Sequence, residues 1–102
     1  MEIKIETGKI ITMKLNSGEE LIAKVISIEK DGWILVQEPV SVAPGPKGMG
    51  LVPSMFTADP KGEYRINTSS IAIFALTDDN VADKYTEATT GIQVPSKKLV
   101  LG

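Results

Sequence analysis

The side chains that carry most enzymatic proton and acyl chemistry are missing from this chain. Its 102 residues include no histidine and no cysteine. That excludes thiolate nucleophiles, disulfides, thiolate or imidazole zinc sites, and every histidine-based triad or proton shuttle. Asp78, Asp79 and Asp83 form the one carboxylate cluster in the sequence. Their spacing lacks the alternating oxygen ladder and closing glutamate of a calcium loop, and helix capping accounts for them better. Gly45, Gly48 and Gly50 neither open a helix nor meet a lysine–serine pair, so no phosphate loop is present. No nucleophile stands in a recognisable pattern with a base. The chain is therefore expected to be no enzyme, with no catalytic residues, cofactor, metal or small-molecule substrate.

The remaining chemistry is that of binding. Eleven Lys+Arg against thirteen Asp+Glu leave a net charge of −2, so a nucleic acid would have to be held locally and not on a basic carpet. With 42% hydrophobic and 24% charged residues, the chain reads as one globular domain with a modest core. Residues 1–6 alternate charged and apolar side chains and lack the apolar centre of a signal peptide. The longest apolar run, at 71–76, is too short to span a bilayer. A cytoplasmic protein without a membrane partner is the expectation.

The elements that must position any binding residues are mostly strands. Ile11, Met13 and Leu15 alternate with Thr12 and Lys14, and Asn16-Ser17-Gly18 then turns the chain. Leu21, Ala23 and Val25 continue the inward set while Ile22, Ile26 and Ile28 load the other face. That change of face predicts a bend, with Ala23 small enough to sit at it. Asp31-Gly32 is the strongest hairpin signal; Trp33 to Glu38 follows as a strand, which Val40, Val42 and Ala43 extend past a bulge. Residues 44–50 read as a Gly/Pro loop and residues 51–57 as a fourth strand, with Pro53 at an edge or bulge. After a turn at 59–62, residues 64–66 resume the extended run, residues 67–70 break it, and 71–76 form a last strand apolar on both faces. Val81, Tyr85 and Ala88 then recur at helical spacing, with Asp78 or Asp79 to cap and Gly91 to stop. The tail from 92 reads as either a docking strand or a frayed end.

The expected fold is mainly β: a small, strongly bent five-stranded antiparallel barrel of the Sm-like or SH3 type, with a short C-terminal helix. An OB-fold would need a helix in the connection at 44–50, which is too short for one. The expected divisions are an N-terminal extension 1–9, the barrel 10–76, and the helix and tail 77–102.

The stretch Ile11-x-Met13-x-Leu15-x-x-Gly18-x-x-Leu21-x-Ala23-x-Val25 resembles the first motif of the Sm-like RNA-binding family. Its acidic continuation is matched by Glu29, followed by Ile34 and Val36. The second motif's spacing is matched by Ile66 to Ile71. The likeness spans about residues 10–76 and looks closest to divergent Sm-like proteins of phages, cyanophages in particular. It departs at the family's RNA-reading positions: Gly32-Trp33 stand for Met-Asn, and Asn67-Thr68 for Arg-Gly.

The resemblance implies a ring of about five to seven copies, closed head to tail by strand pairing. Leu51, Val52, Met55 and Phe56 on one edge and Ile71, Ile73 and Phe74 on the other are then the subunit-interface candidates, because an exposed apolar edge needs covering. The alternative is a monomer that covers those faces with its own helix and tail. In a ring, the loops Glu29–Trp33 and Ile66–Ser70 face the pore. Lys30, Asp31, Trp33, Arg65, Asn67 and Thr68 are the candidate contacts for single-stranded RNA, through charge, base stacking and hydrogen bonds to base edges. Each also has an ordinary role: Trp33 as a core plug, Asn67 as a turn former, Lys30 and Asp31 as a solvated hairpin tip, and Arg65 as an exposed strand residue. A ring or interaction module without RNA is the competing function. If the protein is phage-encoded, its cytoplasm is that of the infected host.

Overall fold

The computed structural model describes residues 5–59 and 61–90. Six strands form one antiparallel sheet: β1 (Ile10–Leu15), β2 (Glu20–Ile28), β3 (Trp33–Gly45), β4 (Gly48–Pro53), β5 (Glu63–Asn67) and β6 (Ile71–Leu76). Helix α1 (Asp79–Thr90) follows. The strand order is β4-β3-β2-β1-β6, and β5 lies on the β3 edge that β4 also uses. Among the described residues nothing pairs β6 with β4 or β5. The sheet is bent but open, not the closed five-stranded barrel expected from the sequence.

Two local causes account for the extra strand. Pro53 has no N–H with which to extend β4, so the expected strand 51–57 ends there. The chain leaves the edge and returns only at Glu63, after a turn in which the Gly62 N–H donates to the Asp59 carbonyl at 3.0 Å. β4 and β5 thus lie end to end along β3 as two pieces of one edge. The expected loop at 44–50 is also corrected. β3 and β4 run through it, pairing Pro44 with Met49 and Gly45 with Gly48 around a two-residue Pro46-Lys47 turn. Pro46 presets the turn's φ, and Gly48 takes the φ of 109° that follows it.

The other turns follow their residue chemistry. Gly18, at φ 95°, donates its N–H to the Leu15 carbonyl at 2.8 Å and reverses β1 into β2. Asp31 and Gly32, at φ 64° and 82°, close the β2–β3 hairpin, conformations that glycine adopts freely and aspartate tolerates. Between these strands the register slips twice, once between Ile22 and Lys24 and once between Val25 and Ser27. At the first slip β3 carries the additional residue, and Glu38 there sits at φ 45°. Ala23, fully buried, lies opposite that bulge, where the bend was expected.

The sheet has an apolar cluster on each face. One holds Ile11, Met13, Leu21, Ala23, Val25, Ile34 and Val36, with Leu15, Tyr64, Ile66, Ile71 and Phe74 packed on it. The other holds Ile22, Val40 and Tyr85 from α1, joined by Ile10, Val42, Leu51 and Val81. The Asp78 carboxylate starts α1 by accepting from the Asn80 and Val81 N–H groups at 3.1 and 3.4 Å. The Tyr85 hydroxyl then reaches the bulge. It accepts from the Lys24 N–H at 3.2 Å and donates to the carbonyls of Gln37 and Glu38, at 2.9 and 3.1 Å. One side chain thereby satisfies the backbone groups that the register slip leaves out of the ladder. Burial pushes the Tyr85 hydroxyl pKa up to about 12, with the nearby Glu38 carboxylate adding to the rise and the Lys24 N–H opposing it.

No helix among the described residues is long and apolar enough to cross a membrane. The proposed stop at Gly91 and the tail 92–102 lie outside the described residues, as do residues 1–4 and Pro60.

Candidate nucleic-acid interface and assembly edges

The six candidate RNA contacts come from two segments, 30–33 and 65–68, that are distant in sequence, and the sheet brings them together. β5 returns antiparallel to the start of β3, placing Asn67 directly opposite Trp33 and Arg65 opposite Leu35. The two turns beyond these strands then touch. The Thr68 hydroxyl donates to the Gly32 carbonyl at 2.9 Å, and a Cβ added at Gly32 would come within 3.3 Å of that hydroxyl. Glycine at 32 therefore serves both the positive φ and the close approach. Lys30 and Asp31 are exposed at the hairpin tip beside this contact, and Lys30 makes no ion pair among the described residues.

Side-chain alternation decides which face these residues occupy. Ile34 is buried in the larger cluster and Ile66 packs on it, so Trp33 and Asn67 project from the opposite surface. Trp33 is 38% exposed and does not plug the core. Asn67 does act as a turn former: its side-chain Oδ1 accepts from the Ser69 N–H at 2.9 Å and from the Ser69 hydroxyl at 2.6 Å. Arg65 is an exposed strand residue as expected, yet it is held. Its Nε donates to Glu29 Oε1 at 2.9 Å.

Glu29 and Asn16 belong to the same cluster but carried no such role in the sequence reading. Asn16 ties the β1–β2 turn to it through its backbone N–H on the Ser70 carbonyl, at 2.8 Å, and its side-chain amide on the Ser69 carbonyl, at 2.9 Å. An asparagine in a turn and an acid before a hairpin announce local roles, while their partners lie about 36 to 53 residues away in sequence. Among the described residues no group of three or more carboxylates is placed to hold a metal ion.

The interface candidates divide. Val52, Met55, Phe56 and Ile73 are exposed, Phe56 by 80%, and Met49 and Leu76 join them although the sequence reading had not singled them out. Leu51, by contrast, packs beneath α1, and Ile71 and Phe74 pack on the larger cluster. Those three are engaged, at least in part, by the chain's own core. Among the described residues β6 thus has one edge without a strand partner, and that strand carries neither a charge nor a proline, while the β4 side presents a second apolar margin. Between the latter and the core lies a cleft of about 250 Å³ lined by Leu21, Pro39, Met55, Tyr64 and Ile66, with Glu19, Ser54 and Arg65 also on its wall. The Ser41 hydroxyl at that end hydrogen-bonds Glu19 and approaches the Ser54 hydroxyl at 3.3 Å.

No protein-family model matches this chain, and no curated protein sequence matches it.

Proposed function

We propose that this protein is an Sm-like subunit which assembles with copies of itself into a ring and holds single-stranded RNA on its clustered turns. The observation that carries the reading is the convergence of the β2–β3 and β5–β6 turns, which groups an unpaired lysine, a half-exposed tryptophan and an asparagine at one end of the sheet. Repetition around a ring multiplies that one lysine into a local positive surface, despite the subunit's net charge of −2. Two open edges with exposed apolar side chains supply the drive to assemble, since β6 has nothing that discourages edge pairing. Work in the cytoplasm follows from the same reading.

A second reading keeps the assembly and drops the RNA. It is favoured by the pairing of Arg65 with Glu29 and by the use of the Asn67 side-chain Oδ1 within its own turn. Chromatography with in-line light scattering and labelled oligo(U) and oligo(A) separates the possibilities. The wild type is expected to elute at several times the mass of one chain and to retain RNA. Ile73→Lys is expected to elute as single chains. A wild-type mass of one chain at micromolar concentration defeats the ring. An intact assembly that retains neither oligonucleotide at low salt leaves the second reading in place.

A further inference from the structure

Arg65 is the sole arginine, and the way it is held has a chemical meaning. A guanidinium offers donors along more than one edge and is charged at any working pH. Glu29 engages only the Nε edge, at 2.9 Å. The two terminal Nη groups have no hydrogen-bond partner among the described residues, while the side chain is 61% exposed. An acid that grips the near edge of an arginine fixes the direction of the far edge. That far edge is a two-donor fork, matched to the paired oxygens of a phosphate. Its surroundings point the same way: Arg65 lies opposite Leu35, one same-face position along from the Trp33–Asn67 pair. A base stacked on Trp33 places its neighbouring phosphate within the reach of a long side chain at that spacing.

Resting on the RNA reading above, we propose that Arg65 is the phosphate contact of this surface and that Glu29 sets its strength. Glu29 acts in two opposed ways: it orients the fork, and its own charge offsets the attraction for an anion. The net charge of the pair is zero, so the wild type binds more weakly than the orientation alone would allow. Glu29→Gln separates the two effects, because the amide oxygen still accepts from Nε while the negative charge is gone.

The test measures binding of fluorescent oligo(U) and oligo(A) of about 12 nucleotides across a range of salt, using full-length assembled protein. Glu29→Gln is expected to tighten binding roughly 3- to 10-fold at low salt and to steepen the logarithmic salt slope by about 0.7, the value of one added single-strand phosphate contact. Arg65→Ala is expected to weaken binding several-fold and flatten the slope by a similar amount. In the Arg65→Ala background, Glu29→Gln still removes a repelling charge but has no fork to release, so the double variant is expected to bind well below Glu29→Gln alone. Arg65→Lys keeps the charge but loses the fork, and is expected to fall between wild type and Arg65→Ala. Thermal melts and assembly mass confirm that each variant is folded.

If RNA binds and Trp33→Ala or Lys30→Ala weakens it, while Arg65 and Glu29 variants change neither affinity nor slope, the inference is overturned and the RNA reading stands. Loss of affinity in Glu29→Gln overturns the charge-setting role. If the wild-type assembly binds neither oligonucleotide at low salt, the RNA reading fails and takes this inference with it.

Discussion

The two faces of this sheet are finished in different ways. On one face three strands bring seven buried side chains together, and the strands themselves complete the cluster. On the other, only Ile22 and Val40 are buried from the sheet, and α1 must supply Tyr85 to finish the job. The first face is shape complementarity among aliphatic side chains, spread over many small contacts. The second is concentrated in one aromatic residue whose ring covers apolar area and whose hydroxyl mends a broken ladder. A bulge that weakens the sheet locally is thus the anchor that fixes the helix.

That contrast can be broken at either end. Ile34→Ala, on the strand-built face, is expected to cost about 3 kcal/mol and to lower sheet and helix signals together in a denaturant titration, because a cavity there has no mobile element to fill it. On the helix-covered face, alkaline pH does what a mutation would. The folded state holds the Tyr85 hydroxyl neutral, with its pKa raised to about 12 from an ordinary value of 10. Its contribution is therefore full below pH 10 and is lost as pH rises through 12, amounting to about 2 kcal/mol at pH 12. Lysines titrate in the same range, so the measurement is the difference in melting between wild type and Tyr85→Phe.

Tyr85→Phe itself is expected to cost about 1–2 kcal/mol at neutral pH, since it strands the Lys24 N–H and the two carbonyls while keeping the ring. Hydrogen exchange at α1 should rise before exchange at β1 and β2, and equal loosening of both would show that the faces are not separable. The smallest effect concerns the bulge. Burial holds the Glu38 carboxyl above the ordinary carboxylate range, opposed by the Thr89 hydroxyl and the Lys61 charge. Its backbone also sits at φ 45°, a conformation glycine adopts without cost. Glu38→Gly is expected to stabilise by about 0.5 kcal/mol, read as a small rise in melting temperature. A loss instead would mean that the contact with Thr89 outweighs the strain.

Much of the sheet was legible because strand periodicity and turn residues are local signals. Ile11 and Met13 are buried as their alternation required, Gly18 and Asp31-Gly32 turn where they should, and α1 runs where Val81 and Tyr85 fall at helical spacing. The misreadings have a common cause. Glycine and proline at 44–50 signalled a loop, but Pro44, Gly45, Gly48 and Gly50 all lie in strands, because β4 pairs there with β3 and only Pro46-Lys47 need turn. Trp33 was weighed as a core residue on size alone, whereas the register of β3 points it away from the larger cluster. The target of the Tyr85 hydroxyl was illegible in sequence, since it depends on an unusual φ at a glutamate about 47 residues away. In the candidate site, the residue types were visible one by one; that Glu29 holds Arg65 is a fact of pairing, and pairing is not local.

The bare edge of β6 has a consequence for how a cell must handle this chain. The six residues of that strand are uncharged, and the backbone groups on the side away from β1 meet no strand among the described residues, which makes them a template for an extended segment. Until something covers that edge, a newly made chain is open to pairing with any unfolded chain in reach. Clumping of unfolded chains grows with their concentration, so how much of this chain is unfolded at once becomes part of the fold's success.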